Sequence, residues 1–352
     1  MGTIVRGSGF VTGEHKVKNE QMGRVCETSD QWIRERTGIE ERYFAADGTT
    51  TSDLGVRAAQ VALENAGLTA KDIDYVVFAT MTPDYQFPGC GVLLQHKLGM
   101  SNIPTLDIRQ QCTGFIYGLQ VADALLKAGQ AKKLLLVGAE CHTPYMPWKA
   151  DGHALILGTG DKKPTPEEWA FFTRYRDRTV LFGDAGGAVV LEQSDEPGRG
   201  LLATRLHSDG AFAEKLYVPS GFKWKPYVTE EMIREGRHIP EMDGKQVFRM
   251  AVTKMPEVVN EILKQNGYTL DDVSLLIAHQ ANLRINEAVQ KSLGLPDSRV
   301  YNNIQRYANT TAATIPIAYD ECRRAGRIKR GDLVCFVGLG AGFHWGAALM
   351  RE

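Results

Sequence analysis

The sequence lacks several features that would narrow its class. Its six cysteines are Cys26, Cys90, Cys112, Cys141, Cys322 and Cys335. They are scattered, with no Cys-x-x-Cys pair, which argues against a structural zinc site and a disulfide framework. No apolar run approaches the roughly 20 residues of a membrane span, and the first residues lack the charged-then-apolar pattern of a secretory signal. The formal net charge of −1 gives no footprint for nucleic acid. We therefore expect a cytoplasmic protein with no metal, no membrane partner and no nucleic-acid partner.

What remains is the composition of an ordinary globular protein, with 43% apolar and 24% charged residues over 352 positions. That length can hold two core-forming units or one large layered domain. Apolar runs typical of covered strands, such as 75–79 and 134–138, alternate with helical patterns, such as 51–66 and 115–126. This alternation predicts an α/β protein with a largely parallel sheet.

The second half of the sequence repeats part of the first. Residues 66–73 resemble residues 266–273, and an apolar strand pattern follows each of them, at 76–79 and at 275–278. Self-similarity of this kind indicates an internal duplication of a βα unit.

The duplication predicts two pseudo-symmetric halves, 1–180 and 181–352, with an irregular insertion at about 143–180. The insertion carries an aromatic run and a helix start, with Thr165 as the predicted N-cap, Pro166 at the first helical position and Glu168 three residues on. In the register of the repeat, Cys112 and Asn309 occupy nearly equivalent places, each after a strand-like segment and before a helix.

Cys112 is the first candidate for chemistry, because it stands where an apolar strand runs into a helix. A thiol on the first helical turn meets unpaired backbone N–H groups and the positive end of the helix dipole, and both favour the nucleophilic thiolate. A cysteine considered alone is more often a small buried hydrophobic residue. Cys112 therefore needs partners before a catalytic interpretation is preferred.

Three further candidate features for the same site lie later in the chain. His279 ends an apolar strand, and the carboxyl ends of strands are where α/β sheets place ligands. Asn309 precedes a helix and can be a simple helix cap. The glycine-rich segment 338–346 follows another strand and can bring backbone N–H groups close to a ligand. Each feature alone is weak, and a lone histidine is more often a satisfied core residue.

Together these features resemble a known family. The motifs are Cys112 in its strand-to-helix turn, His-Gln-Ala-Asn-Leu-Arg at 279–284, Asn-Thr-Thr-Ala-Ala at 309–313, and Gly-Ala-Gly-Phe-His-Trp-Gly at 340–346. In this order they resemble β-ketoacyl-acyl carrier protein synthase III, a thiolase-like condensing enzyme of fatty acid biosynthesis, over nearly the whole chain. The resemblance implies a five-layer αβαβα fold with two pseudo-symmetric halves, and a homodimer.

The resemblance also implies a reaction. Cys112 would take the acyl group of an acyl-coenzyme A primer as a thioester, which divides one hard condensation into two easier steps. His279 and Asn309 would then hydrogen-bond the thioester carbonyl of malonyl-acyl carrier protein while it loses CO₂. The backbone N–H groups of Cys112 and Ala341 would hold the oxyanion as the 3-ketoacyl product forms. Coenzyme A thioester is a substrate here, and no cofactor is implied.

The same resemblance implies binding residues. Those for coenzyme A are Trp32, Arg36, Arg178, Gly244, Phe248 and Asn282. A basic rim for the acidic carrier protein comprises Arg249, Arg284 and Lys291. Phe87 would reach into the acyl pocket of the partner subunit. Simple packing for Trp32 and a solvated charged face for the rim remain the plainer interpretations.

Other functions remain open within this pattern. The segment 143–180 is longer than expected for fatty-acid-initiating enzymes, which leaves the acyl length open and admits a specialised secondary-metabolism acyltransferase with another acceptor. A Cys/His thioesterase would use the same nucleophile with water, but it needs neither Asn309 nor Arg284. A non-catalytic scaffold is disfavoured by the presence of all three catalytic-type residues. Related head-to-head condensing enzymes carry a glutamate where this chain has Phe87. This difference argues against head-to-head condensation as the activity of this chain.

Overall fold

The computed structural model describes residues 2–352, in which strands alternate with helices along most of the chain. The strands are β1 (Gly2–Thr12), β2 (His15–Lys18), β3 (Glu41–Phe44), β4 (Tyr75–Ala79), β5 (Thr105–Ile108), β6 (Lys133–Glu140), β7 (Ala185–Ser194), β8 (Gly200–Ser208), β9 (Leu216–Tyr217), β10 (Glu241–Met242), β11 (Val273–Ala278), β12 (Val300–Tyr301), β13 (Leu333–Gly340) and β14 (His344–Arg351).

The helices connect these strands. They are α1 (Asn19–Met22), α2 (Asp30–Thr37), α3 (Thr51–Ala66), α4 (Cys90–Lys97), α5 (Gly114–Lys127), α6 (Ala150–Leu157), α7 (Pro166–Arg174), α8 (Arg176–Thr179), α9 (Glu230–Arg234), α10 (Gly244–Gln265), α11 (Leu283–Leu293), α12 (Ile304–Tyr307) and α13 (Thr314–Arg324). Short 3₁₀ turns include Gln111–Thr113 and Thr311–Ala313. No helix within residues 2–352 is long and apolar enough to cross a membrane.

The main sheet has ten strands in the order β12-β11-β13-β14-β8-β1-β7-β6-β4-β5. Strand β4 runs parallel to β5 and β6, and β11 runs parallel to β12 and β13, whereas the other neighbouring pairs are antiparallel. The prediction of a largely parallel sheet was therefore wrong, because the sheet is mixed. One reason is the turn 341–343, which joins β13 to β14 and is too short for the crossover that parallel neighbours need.

The strand order repeats about the middle of the sheet, so that β5-β4-β6-β7-β1 matches β12-β11-β13-β14-β8. Helices α5 and α13 share one apolar core with strands of both halves. A second core lies between α3 and the outer face of the first half, and a third lies between α10, α11 and the outer face of the other half. These packing layers confirm the predicted α/β, five-layer αβαβα arrangement and its pseudo-symmetry.

Helix starts were predicted from capping residues, and two of them can be checked directly. Thr50, one residue before the predicted start, caps α3 with its side chain. Thr165 caps α7, where it accepts from the N–H of Glu168 at 3.2 Å and its own N–H donates to the Glu168 carboxylate at 3.1 Å. This reciprocal pair is the capping box that the sequence predicted, with Pro166 in the first helical position.

The segment 143–180 is more regular than the sequence indicated, because it forms α6, α7 and α8. Its aromatic run packs largely into the protein. Phe172 joins a core cluster with Val25 and Ile33, and Tyr175 is buried. Since burial of such rings contributes a few kcal/mol each, the segment is part of the fold rather than a loose loop.

Cys112 does not lie on the first turn of α5, as predicted, but in the 3₁₀ turn before it. Gln111 has a φ of 45°, in the left-handed region, so a regular α-helix cannot begin there. The second half has the same geometry, because Thr311 has a φ of 49° in the turn that precedes α13.

This shared backbone shape corrects the register of the repeat. Aligning Gln111 with Thr311 makes Ala312 the counterpart of Cys112, whereas the sequence placed Asn309 there. Asn309 precedes Ala312 by three residues, and Arg109 precedes Cys112 by the same number. Asn309 and Arg109 are therefore equivalent positions in the two halves.

Candidate active site

One cavity of about 880 Å³ gathers the predicted catalytic residues. Its lining includes Cys112 from the 3₁₀ turn, His279 from the end of β11, Asn309 from the segment after α12, and Ala341 from the turn after β13. A concave site of this size, lined by a few convergent polar groups, is typical of a small-molecule binding site.

Glycines at the end of β13 explain how Cys112 and His279 come together. A Cβ atom built on Gly340 would lie 2.8 Å from the Cys112 Cβ, and one on Gly338 would lie 3.3 Å from the His279 Cβ. Any side chain at Gly340 would therefore displace the nucleophile. The glycine-rich segment is thus required by close backbone packing, which is the reason for glycine inside a strand.

The surroundings of Cys112 differ from the prediction of a favoured thiolate. Burial, and to a lesser degree the nearby Glu140 carboxylate, together raise the pKa of the Cys112 thiol to about 12, while the residue's own backbone N–H opposes both. The cost of burying a charge outweighs the backbone dipoles at this position. Cys112 is consequently a thiol in the resting protein and needs a base before it can attack.

Among the residues that line the cavity, His279 offers a hydrogen-bond acceptor for that proton. Its Nδ1 lies 2.7 Å from the Thr314 hydroxyl, which itself donates to the Thr311 carbonyl at 3.1 Å. Since that hydroxyl has a single proton, Nδ1 carries the proton of the ring and Nε2 keeps a lone pair. Burial lowers the pKa of His279 to about 3, and Nε2 is buried without a hydrogen-bond partner within residues 2–352. The neutral ring thus offers an acceptor, and becomes a donor at Nε2 once it takes a proton.

Asn309 presents its amide in one orientation. Its Oδ1 accepts from the Thr311 N–H at 2.8 Å, so the plainer interpretation of Asn309 as a local backbone cap is partly right. That bond leaves the amide nitrogen to donate to a ligand. The backbone of Asn309 is held on both sides, because its N–H donates to Leu181 O at 2.8 Å and its carbonyl accepts from the Gly183 N–H at 3.2 Å.

Sequence reasoning missed the residue that supports this amide, His142. Its Nδ1 lies 2.9 Å from the Gly183 carbonyl, which only accepts, so Nδ1 donates and Nε2 accepts from the Thr311 hydroxyl at 2.8 Å. Its ring stacks on Phe182 with centroids 4.6 Å apart. The positive φ of Thr311 is unfavourable for a β-branched residue, and His142 is one of the contacts that hold it there. A histidine shortly after β6, at a strand's carboxyl end, was the available signal.

We expect His142→Ala to reduce decarboxylation of a malonyl thioester on the order of 10–100-fold, because a shift of the Thr311 turn rotates the Asn309 amide. Acylation of Cys112, which does not require that amide, should fall much less. Time courses of acyl-enzyme mass and of CO₂ release separate the two steps. His153→Ala removes another histidine ring outside the cavity and serves as the control. Equal losses in both steps would show that His142 has only a structural role.

Five of the six residues assigned to coenzyme A line the same cavity: Trp32, Arg36, Gly244, Phe248 and Asn282. The guanidinium carbons of Arg36 and Arg176 lie 4.4 and 4.8 Å from the centre of the Trp32 ring. Asn282 also has a structural role, because it caps α11 and donates to the Arg36 carbonyl at 2.9 Å. Planar cations around a half-buried aromatic ring can bind an adenine nucleotide and its phosphates.

Arg178 is not in the cavity lining. Its guanidinium forms an ion pair with Glu241 at 3.3 Å and lies over the Tyr175 ring at 5.1 Å. Arg176, which sequence reasoning passed over, stands closer to Trp32. The sequence signal for Arg176 was only its position two residues before Arg178.

The three rim residues lie outside the cavity on neighbouring helices. Arg249 is on α10, Arg284 and Lys291 are on α11, and all three are exposed. Phe87 lies in the loop between β4 and α4, where it is 82% exposed, and it does not line the cavity of its own chain. Tyr85, two residues earlier, is 61% exposed, so this loop presents two aromatic rings to solvent.

The described residues contain no arrangement of side chains typical of a metal site. Among residues 2–352, no cluster of three or more His, Cys, Asp or Glu side chains could hold a metal ion. The thiol of Cys112, the imidazole of His279 and the carboxamide of Asn309 are the predicted catalytic groups among the side chains that line the cavity.

The fold and the cavity define a condensing enzyme of the thiolase-like class, with a cysteine, a histidine and an asparagine from separate elements. Models of 3-oxoacyl-[acyl-carrier-protein] synthase III match residues 106–161 and 168–210, and a model of its C-terminal part matches residues 263–352. The chain belongs to the β-ketoacyl-[acyl-carrier-protein] synthase III family, and it is an acyltransferase of the condensing type.

Individual relatives agree over the full length. Beta-ketoacyl-[acyl-carrier-protein] synthase III of Novosphingobium aromaticivorans is 40% identical over 356 residues, covering 99% of this chain and 98% of the relative. The crystal structure of 3-oxoacyl-[acyl-carrier-protein] synthase III from Aquifex aeolicus VF5 has a TM-score of 0.84 at 35% identity and covers 100% of both chains. The priming β-ketosynthase of the R1128 polyketide pathway has a TM-score of 0.84 at 30% identity, covering 99% of this chain and 96% of that one.

Proposed function

We propose that this protein condenses an acyl-coenzyme A primer with malonyl-acyl carrier protein to give 3-ketoacyl-acyl carrier protein, CO₂ and free coenzyme A. The observation that carries the proposal is the convergence of Cys112, His279 and Asn309 on one cavity whose lining also includes Trp32 and Arg36. A thiol beside a nucleotide-sized basic and aromatic surface suits a coenzyme A thioester.

In the first step, His279 Nε2 takes the proton of the Cys112 thiol, and the sulfur attacks the primer carbonyl. The N–H groups of Cys112 and Ala341 hold the oxyanion, and Ala341 N–H makes no backbone hydrogen bond within residues 2–352. The carbon–sulfur bond to coenzyme A then breaks, and the leaving thiolate recovers the proton. Cys112 is left as an acyl thioester and His279 is neutral again.

In the second step, the malonyl thioester binds with its carbonyl at Asn309 and His279. The Asn309 amide donates one hydrogen bond, and the His279 ring, which takes up one proton from solvent at Nε2 in this step, donates the other. Loss of CO₂ puts negative charge on that carbonyl oxygen, and donors aimed at it lower the barrier, each by about 3 kcal/mol in a water-excluded site. The resulting carbanion attacks the carbonyl carbon of the acyl thioester, and the bond from that carbon to the Cys112 sulfur breaks. The Cys112 thiolate then takes the proton from His279 Nε2, which restores the thiol and the neutral ring.

We propose that the partners of this protein are those predicted from its sequence. The exposed cations Arg249, Arg284 and Lys291 would receive the acidic carrier protein. The exposed ring of Phe87 would enter the acyl pocket of a second copy, as in a homodimer. The assembly would work in the cytoplasm, in fatty acid biosynthesis, without a cofactor. Arg178, which lies outside the cavity lining, would reach coenzyme A only at the outer end of the site.

The proposal is tested by supplying the wild-type protein with a panel of acyl-coenzyme A primers, followed by malonyl-acyl carrier protein. Intact-mass spectrometry should show one acyl group added per chain, and then a 3-ketoacyl group on the carrier protein with release of CO₂. Acyl loading followed only by hydrolysis would favour a thioesterase. Loading followed by transfer to a different acceptor would favour a specialised acyltransferase. No acylation by any primer would overturn the mechanism.

A further inference from the structure

The cavity contains a histidine that neither step of the proposed reaction uses. His344 is the first residue of β14 and lines the cavity, as do Ala341 and Gly342 in the turn before it. Ala341 supplies one of the two N–H groups proposed for the oxyanion. Because such a donor is effective only when it points at the place where the charge develops, the contacts of His344 with this turn bear on catalysis.

The His344 ring folds back over the turn. A Cβ atom built on Gly342 would lie 2.4 Å from the His344 Cδ2 and 2.6 Å from its Nε2, so the ring and the turn backbone are in direct contact. Gly342 also has a φ of 137°, which glycine adopts far more readily than other residues. The next residue, Phe343, exchanges two backbone hydrogen bonds with Asp209, at 2.8 and 2.9 Å. The turn is therefore anchored at Phe343, and the His344 ring packs on the residue next to Ala341.

A chain of hydrogen bonds connects His344 to α5, the helix that follows the nucleophile. Tyr117 on α5 donates its hydroxyl proton to the His207 carbonyl at 2.9 Å. Since each hydroxyl has one proton, Ser208 donates to the Tyr117 oxygen at 3.1 Å, and His344 Nδ1 donates to Ser208 at 2.7 Å. The His344 and Tyr117 rings also meet edge-on, with centroids 5.7 Å apart. The His344 ring is thus held in one orientation and one tautomer.

The same turn touches the nucleophile on its other side. A Cβ atom built on Gly340 would lie 2.8 Å from the Cys112 Cβ and 3.0 Å from the Cys112 backbone nitrogen. Helix α5 begins at Gly114, two residues after Cys112. The turn and this part of the first half therefore meet at two places, beside Cys112 and through the chain from Tyr117 to His344. Contacts at two separate places fix the relative position of the two oxyanion N–H groups more firmly than one contact does.

We propose that His344 is a positioning residue that holds the N–H of Ala341 toward the oxyanion, through its packing on Gly342 and its hydrogen bond to Ser208. This inference rests on the proposed function and adds a residue to the same site. No bond-making step changes, because the His344 ring exchanges no proton with the substrates.

The inference separates the reactions of this site into two groups. An oxyanion forms beside Ala341 when Cys112 attacks the primer and again when the carbanion attacks the acyl thioester. Decarboxylation of the malonyl thioester instead uses the donors of Asn309 and His279. Loss of His344 should therefore slow acyl loading and condensation but spare decarboxylation.

The test measures loading and decarboxylation separately in His344→Ala. Loading is followed by intact mass in single turnovers at increasing acyl-coenzyme A concentration. Its maximal rate should fall on the order of 10-fold, with little change in the concentration that gives the half-maximal rate, because the donor is misplaced rather than lost. Release of CO₂ from malonyl-acyl carrier protein without primer should be unchanged. His344→Asn should recover most of the loading rate, since its amide N–H can replace Nδ1–H as the donor to Ser208.

The far end of the chain provides a second variant that keeps its ring. Tyr117→Phe should reduce the loading rate less than His344→Ala does, and it keeps the test valid should His344→Ala fail to fold. The double variant should lose no more than His344→Ala alone, because both changes break one chain. Tyr301→Phe is the matched control, since it also removes a hydrogen-bonded phenol hydroxyl but Tyr301 lies outside the cavity lining. Its loading rate should equal that of the wild type.

Normal loading in both His344→Ala and Tyr117→Phe would overturn the inference. Equal losses of loading and of CO₂ release would also overturn it, because His344 would then have only a structural role. Failure of His344→Asn to recover loading would contradict the assigned hydrogen bond. Absence of loading by the wild-type protein with every primer would count against the proposed function instead.

Discussion

Cys112→Ala is expected to abolish acyl transfer from coenzyme A, with a loss on the order of 10⁴-fold or more in condensation, because no other group can hold the acyl chain. The variant should fold normally, since the removed sulfur faces a cavity and the neighbouring Gly340 and Gly338 packing does not depend on it. The measurement is the mass of the intact protein after incubation with each primer, with and without malonyl-acyl carrier protein.

The control is Cys26→Ala, which removes another buried thiol, one that does not line the cavity. Cys26 does not line the cavity, so its thiol is not placed to meet a primer bound there. The Cys26 variant should still gain one acyl group. Acyl mass on the Cys112 variant would place the nucleophile elsewhere and contradict the mechanism.

His279→Ala should have the second-largest effect. Decarboxylation of the malonyl thioester is expected to fall on the order of 10²–10³-fold, because one of two donors to the developing oxyanion is lost. Acylation of Cys112 should still reach completion, but more slowly, because the thiol with a raised pKa loses its proton acceptor. Single-turnover mass spectra report the first step, and CO₂ release reports the second.

His279→Asn is the companion variant, since a carboxamide can donate to the carbonyl but is a poor base. It should recover part of the decarboxylation while acylation stays slow. Recovery of acylation without decarboxylation would reverse the two roles assigned to the ring. Normal condensation in His279→Ala would remove the residue from the mechanism altogether.

Local features of the fold were predictable from the sequence because their causes are local. Strand β4 has the predicted bounds, and Thr165 caps α7 as its neighbours indicated. The direction of the central strands was not predictable from alternation alone, since it follows from connections such as the short 341–343 turn. Nor was the packing of the aromatic run in 143–180, because its partners, Val25 and Ile33, are far away in the chain.

The candidate site was likewise predictable from the sequence only in part. Motif order identified Cys112, His279 and Asn309, and all three line one cavity. The state of the Cys112 thiol was misjudged, because the helix start is visible in sequence whereas burial and the Glu140 carboxylate are not. His142 was missed because its partners lie 41 and 169 positions further along the chain. The roles of the binding residues and the division of the chain at 180 remain predictions.

The equivalence of Arg109 with Asn309 and of Cys112 with Ala312 means that the two halves carry different side chains on one backbone shape. The first half supplies the cysteine, and the second supplies the histidine and the carboxamide and has alanine at the position equivalent to the cysteine. Neither half contains a complete set of reactive groups. Catalysis therefore requires both halves, which pack together at the layer formed by α5 and α13. A substitution that loosens the packing of this layer should abolish enzyme activity under conditions milder than those that unfold the chain.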